Sequence, residues 1–276
     1  MYLIKTSAEK PPEYQVKTAF YVQEELLHEQ RDKYGKVFVI KRSNRYVDLV
    51  FDDQANAIQS RYDLLIPNMP SLDYVKAMCL GQVFVEPKNI LVLGLGGGSL
   101  AKFYMENNPE ANIEIVDIRP ALFDVSQKYF GLKLSTNSRF YEQDALEYTR
   151  LAYNAKRKYD LILIDIYIDG PADILDKPEL WKYVSGCLQT TGFCVSNVWK
   201  EGEHEKKYGD ILTLNSLNFE TVGQTETSTS QVCIFSTHLP SNIIESGGII
   251  NRALALEETT GINFPKYLRN SSILTK

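Results

Sequence analysis

The stretch Asn89-Ile90-Leu91-Val92-Leu93-Gly94-Leu95-Gly96-Gly97-Gly98-Ser99-Leu100-Ala101 decides the fold of this chain. Four consecutive apolar residues run into a glycine-rich turn, and the turn opens into a helical pattern. A continuous apolar run of that length marks a strand buried on both faces, the signature of a parallel sheet covered by helices. Glycines allow a tight turn and a close backbone approach to a ligand. The N–H groups that start the next helix then point at that ligand.

The same beat continues downstream. Ile113 to Val116 reads as a strand, and Pro120 to Phe130 as a helix with proline in its first turn and Gly131 as its stop. Arg139 to Tyr141 is a short strand and Ala145 to Ala155 a helix. Tyr159 to Ile164 is a strand, followed by a helix over Pro178 to Leu188 with Gly192 after it. Phe193 to Val198 is a strand, Glu203 to Leu217 a helix, and Phe219–Gly223 with Gln231–Thr237 a closing antiparallel pair. Strand and helix in alternation give a doubly wound α/β sheet. Upstream, Lys36–Ile40, Arg45–Phe51 and Ala57–Gln59 are short strand-like runs with polar turns between them, an antiparallel meander. Domain boundaries follow: a loose arm and small β domain over 1–70, a Rossmann-like domain over 71–240, and a helical tail over 241–276.

Three carboxylates fall where such a sheet binds ligands. Asp117 ends the strand after the glycine turn, placed to accept the hydroxyls of a ribose. Asp144 follows the third strand in Gln143-Asp144-Ala145. There it is either a helix N-cap or an acceptor for an adenine amino group, and its register with the other acids favours the second reading. Asp165 follows four apolar residues at the carboxyl end of the fourth strand, the end that faces the ligand crevice. Up to Asp117 the pattern allows NAD or S-adenosylmethionine (SAM), since the turn read from Gly96 also satisfies Gly-x-Gly-x-x-Ala. Asp144 and Asp165 move the reading to SAM.

Composition excludes other classes. The 276 residues are 44% hydrophobic and 24% charged, the balance of a globular chain, with a net charge of -5. An acidic chain is poorly suited to sequence-independent phosphate binding, so no nucleic-acid partner is expected. No stretch approaches the roughly 20 apolar residues of a membrane span, and the opening residues, with no long apolar core after a basic start, give no expectation of a secretory signal. Cys79, Cys187, Cys194 and Cys233 form no CxxC pair and sit in apolar runs, as reduced thiols of a cytoplasmic protein do. His28, His204 and His238 share no ligand spacing, so no metal is expected. There is no GxSxG of a serine hydrolase.

Asn89–Leu100, Ile115-Val116-Asp117, Gln143-Asp144-Ala145, Tyr159–Asp165 and Ser196-Asn197-Val198-Trp199 in this order resemble the spermidine synthase family and its SAM-binding relatives. Ala57-Ile58-Gln59 is similar to a Val-Ile-Gln strand of the small β domain those enzymes carry. The resemblance covers most of residues 30–240. It implies a seven-stranded class I SAM-methyltransferase core behind a small N-terminal antiparallel β domain. It also implies cofactor contacts from Gln59, Gly94, Gly96, Gly98, Asp117 and Asp144, a catalytic base at Asp165, and a homodimer. The cofactor it implies is decarboxylated SAM, or SAM itself. Two departures stand out. Polyamine synthases carry an Asp in the glycine turn where Gly97 stands here, and Asp-Ser-Ser-Asp-Pro where this chain has Asp165-Ile166-Tyr167-Ile168-Asp169. The pattern is closer to the spermidine-synthase-like branch.

The expected reaction is alkylation of a small-molecule amine, with aminopropyl transfer to a polyamine ahead of methyl transfer. An attacking amine must be neutral, and Asp165 is placed to take its proton. Tyr74 and Tyr167 are candidate walls for the aliphatic stem, and Asp169 or Asp173 a second carboxylate for a remote ammonium. A SAM-dependent small-molecule methyltransferase uses the same cradle and needs fewer acids. A non-catalytic nucleoside-binding protein has no need of three carboxylates around one crevice. For an NAD-dependent hydride-transfer enzyme the sequence offers neither a catalytic His or Lys nor a separate substrate domain.

Overall fold

The computed structural model describes residues 24–51, 58–166, 174–244 and 247–274. The expectations for Tyr167, Asp169 and Asp173 lie outside the described residues.

The N-terminal sheet consists of β1 (Glu24–Asp32), β2 (Gly35–Arg42), β3 (Tyr46–Phe51) and β4 (Ile58–Asp63), antiparallel and adjacent in chain order. Val37, Val39, Val47 and Leu49 alternate onto its buried face. On the other face Asp48 is fully buried and accepts from Arg42 of β2 at 2.8 Å and from Arg61 of β4 at 2.7 Å, which ties three strands together. This sheet docks on the rest of the molecule through polar contacts as well. The Arg119 guanidinium donates twice to Asp32 at 3.0 Å, and the Tyr129 hydroxyl donates to the Leu27 carbonyl at 3.2 Å.

The large sheet holds β5 (Asn89–Leu93), β6 (Asn112–Asp117), β7 (Ser138–Glu142), β8 (Tyr159–Ile164), β9 (Leu188–Trp199), β10 (Thr221–Glu226), β11 (Gln231–Thr237) and β12 (Ser271–Leu274). Its order is β12-β10-β11-β9-β8-β5-β6-β7. The strands β5 to β9 pair in parallel, and β11, β10 and β12 close the sheet antiparallel. All seven expected strands are present. The eighth, β12, comes from a tail read as wholly helical. It pairs Val222 with Leu274 and Thr225 with Ser271, and so covers an edge that the helices leave open.

The helices before the final strand are α1 (Asp73–Met78), α2 (Gly81–Phe84), α3 (Ser99–Asn107), α4 (Pro120–Tyr129), α5 (Ala145–Asn154), α6 (Pro178–Cys187), α7 (Glu205–Asn218), α8 (Ser241–Ile244), α9 (Gly247–Thr260) and α10 (Phe264–Arg269). Prolines open α4 and α6, as their sequence indicates. Along β5, Ile90 and Val92 pack into one apolar core with α3 and α4, while Leu91 and Leu93 pack into a second with α5 and α6. Gly192, which follows α6 in the chain, is a strand residue. It lies inside β9, where an added Cβ would stand 2.8 Å from the Asp160 carbonyl.

Strand order places the site. The chain moves from β5 outward to β6 and β7, then returns to put β8 on the other side of β5. The connections after β5 and β8 therefore part in opposite directions and leave a crevice at their carboxyl ends.

Candidate active site

The glycine turn fills the floor of that crevice. Gly94 has φ +96° and lies so close to the chain leaving β8 that a Cβ would come within 2.0 Å of the Asp165 carbonyl oxygen. Gly96 has φ +52°, with Ser60 Oγ 2.9 Å from where its Cβ would be. Only glycine meets both demands without strain. Gly94 and Gly96 line the cleft. Gly98 does not. It is the left-handed N-cap of α3, φ +79°, packed against Leu132. Gly97 is also out of the cleft. Its N–H donates to Ser60 Oγ at 2.8 Å, and a Cβ there would meet Phe130 and Ser60, each at 2.8 Å. The place where polyamine synthases carry an Asp is thus closed by the N-terminal sheet and the end of α4.

Asp117 accepts the Leu95 N–H at 2.7 Å through Oδ2 and the Arg119 N–H at 2.8 Å through Oδ1. It holds the glycine turn in shape while facing the cleft. Burial pushes its pKa up, and the backbone N–H groups pull it back. Asp144 is the helix N-cap of the two roles the sequence offers, and it stands at the cleft. Its Oδ1 accepts the Glu147 N–H at 2.9 Å as the N-cap of α5, and the residue also lines the cleft. Phe51, Ile118 and Leu122 supply apolar wall, and Gln59 and Tyr74 close the cleft from above. This compartment encloses about 690 Å³, its open mouth included.

Asp165 forms part of that wall and also part of a second compartment of about 1030 Å³. Gln59, Tyr74 and Ile166 are the other residues common to both. The Asp165 N–H donates to the Leu93 carbonyl at 2.8 Å, which fixes the chain at the strand end. Its Oδ1 accepts from Asn197 Nδ2 at 3.0 Å. Burial raises the Asp165 pKa above the ordinary carboxylate range, hydrogen bonds from Asn197 and Tyr74 lower it, and the charge of Asp117 raises it further. The buried Tyr74 phenol is pushed well up by burial and by Asp165, so it stays a neutral donor, and it also reaches the Gln59 carbonyl at 3.3 Å. A carboxylate with a raised pKa at the meeting point of two cavities can accept a proton from a nitrogen placed between them.

The structure therefore brings together Gln59, Tyr74, Gly94, Gly96, Asp117, Asp144 and Asp165, and leaves Gly98 outside. Asn197 and Trp199 enter the sequence pattern only within Ser196-Asn197-Val198-Trp199. As residues at the carboxyl end of β9 they were findable by the same rule that singled out Asp165. Arg119 and Lys207 carry no such signal, because side chains from distant elements place them.

No protein-family model matches the chain. A polyamine aminopropyltransferase of Vibrio vulnificus is 29% identical over 181 residues, which is 64% of this chain and 60% of that relative's length. The eEF1A lysine and N-terminal methyltransferase of the mouse is 38% identical over 86 residues, 31% of this chain and 12% of that relative. Among solved structures, a probable spermidine synthase from Corynebacterium glutamicum superposes with a TM-score of 0.67 at 15% identity, covering 90% of each chain. The fold is thus the one shared by spermidine synthases and SAM-dependent methyltransferases. Fold and relatives together support a transferase of that class, of aminopropyl or of methyl groups.

Proposed function

We propose that the protein transfers the aminopropyl group of decarboxylated SAM to the nitrogen of an amine. The observation that carries this reading is Asp165, the acid shared by two compartments. The first suits the nucleoside: ribose hydroxyls at Asp117, adenine beside Asp144, and the sulfonium side toward Asp165 and Tyr74. The acids around this compartment favour a donor whose tail ends in an ammonium. Its cation, Arg119, is committed to Asp32 and to the face of Phe51 at 4.5 Å, so it is not offered to the carboxylate of intact SAM. The amine enters from the second compartment. Its lone pair forms the new N–C bond at the carbon beside sulfur, the C–S bond breaks, and the electron pair leaves on sulfur as neutral methylthioadenosine. The proton lost from nitrogen goes to Asp165. Holding nitrogen and carbon in line supplies much of the acceleration, and proton transfer about 10²–10⁴-fold more.

Methyl transfer is the second reading, favoured by one feature. The closed position at Gly97 removes an acid that polyamine synthases use and methyltransferases do not need. Product analysis separates the two. The protein is supplied with decarboxylated SAM or SAM and a mixture of primary amines. Methylthioadenosine from the decarboxylated donor supports aminopropyl transfer, and S-adenosylhomocysteine alone replaces it with methyl transfer.

A further inference from the structure

One wall of the second compartment comes from the far end of the chain. Residues 227–230, which join β10 to β11, put Thr229 on its lining, and Gln231 follows at the start of β11. Hydrogen bonds inside the turn give it shape. The Thr227 hydroxyl donates to the Gln231 carbonyl at 2.5 Å, and the Thr229 N–H donates to Thr227 Oγ1 at 3.3 Å. Two anchors then hold the turn in place. On the β9 side the Lys200 N–H donates to the Ser230 carbonyl at 2.9 Å, and the Ser230 hydroxyl donates to Glu201 Oε2 at 2.7 Å. On the other side the Ser228 N–H donates to Asp73 Oδ2 at 2.6 Å.

Asp73 holds more than that turn. It is the first residue of α1, next to Tyr74, and it lines the compartment itself. Its Oδ1 accepts from the Tyr267 hydroxyl of α10 at 2.7 Å and lies 3.5 Å from Lys266 Nζ. Burial pushes the Asp73 carboxyl up, but the Tyr267 and Ser228 donors and the Lys266 charge outweigh it and hold the pKa below the usual carboxylate range. The buried Tyr267 phenol is pushed up by burial and by Asp73, so it stays a neutral donor. The α10 helix is tied to the same hairpin a second time. The Asn270 carbonyl at its end accepts the Glu226 N–H at 3.2 Å, and β12 after it pairs with β10. One carboxylate thus joins α1 to a turn 155 residues away and to a helix 194 residues away. Charge-assisted hydrogen bonds of this kind are among the strong ones, so both elements are fixed relative to Asp73 and its helix.

We propose that Asp73 is a positioning residue of the acceptor compartment: by clasping the 227–230 turn and Tyr267 to the start of α1, it sets the wall against which the acceptor amine lies and makes α10 part of acceptor recognition. This rests on the transfer reading above for its kinetic readout. Tyr267 is the diagnostic position, because it stands behind Asp73 and not on the lining of the compartment. The acceptor used is the primary amine of the product assay that turns over fastest, with its donor saturating. Its KM is expected to rise about tenfold in Asp73→Ala and about threefold in Tyr267→Phe, while kcat and methylthioadenosine affinity stay within about twofold. Asp73→Asn keeps one accepting oxygen and should recover part of the loss. An unchanged KM in both variants, or an equal loss in kcat or in methylthioadenosine affinity, overturns the proposal. If the natural protein turns over no amine, the transfer reading fails, and amide hydrogen exchange decides for Asp73. Faster exchange across 226–231 in Tyr267→Phe then upholds the clasp, and unchanged exchange overturns it.

Discussion

The two compartments that meet at Asp165 are made in different ways. The nucleoside side is built from strand ends and the turns directly after them: Gly94 and Gly96 after β5, Asp117 at the end of β6, Asp144 after β7, Asp165 after β8. Each of these residues stands where it does because the sheet is parallel and its strands end together. The acceptor side is assembled from pieces far apart in the chain: Ile58 of β4, Leu72 before α1, Trp199 at the end of β9, Lys207 and Ile211 on α7, and Gln231 at the start of β11. One side is a property of the fold, and the other is a property of this chain. Substitutions on the first should therefore act on donor affinity, and those on the second or at the junction on turnover and acceptor choice.

The largest expected effect is at the junction. Asp165→Asn keeps the shape and removes the base, so turnover should fall by about 10²–10⁴-fold. Affinity for methylthioadenosine should change little. Steady-state kinetics and calorimetry on the same variant check both halves, and a parallel loss of affinity would merge the two compartments into one. The sign of the stability change is opposite. A carboxyl whose pKa is raised by folding favours the fold below the unfolded carboxyl range, and that contribution is lost as pH rises through that range to the folded value. At neutral pH, Asp165→Asn should thus melt at a higher temperature than the natural chain while being far less active.

Next is Asp117→Ala. It removes the proposed ribose contacts and also the acceptor for the Leu95 N–H that shapes the turn. Charge-assisted bonds contribute about 1.5–3 kcal/mol each, so methylthioadenosine affinity should drop at least tenfold by calorimetry. Gly97→Asp asks whether an acid at this place, where polyamine synthases carry one, brings their chemistry with it. The new Cβ would crowd Phe130 and Ser60, and overpacking of this kind costs about 1–3 kcal/mol. The melting temperature should fall by roughly 2–4 °C per kcal/mol, with no gain in activity on putrescine. The smallest effect is a shift of profile. Asn197→Leu removes a hydrogen bond that lowers the Asp165 pKa, so the acid limb of the turnover–pH curve should move to higher pH. A limb that stays in place would mean that another group titrates.

How much was legible follows the same division. The run from Asn89 to Leu93 could only be a doubly buried strand, and the glycines after it only a tight turn, so the crevice and its acids could be read without coordinates. The reason for each glycine could not. Gly94 answers to the carbonyl of Asp165, 71 residues away in sequence, and Gly97 to a phenylalanine and a serine from other elements. For Asp144 the sequence offers a cap or a ligand contact; the structure shows the cap and places the residue at the cleft. The strand β12 was missed because Ser271–Leu274 is four residues long and becomes a strand only by pairing with β10. Asn197 lay in a quoted motif, yet its importance comes from the partner of its amide, which no local pattern records.

In the proposed reaction donor and acceptor meet at Asp165. A crystal structure with methylthioadenosine and an amine tests it most directly. The ribose hydroxyls are expected on Asp117, the adenine beside Asp144, and the sulfur and the amine nitrogen both within contact of Asp165. A nucleoside bound elsewhere, or one seated in the cleft with its sulfur turned away from Asp165, would contradict it.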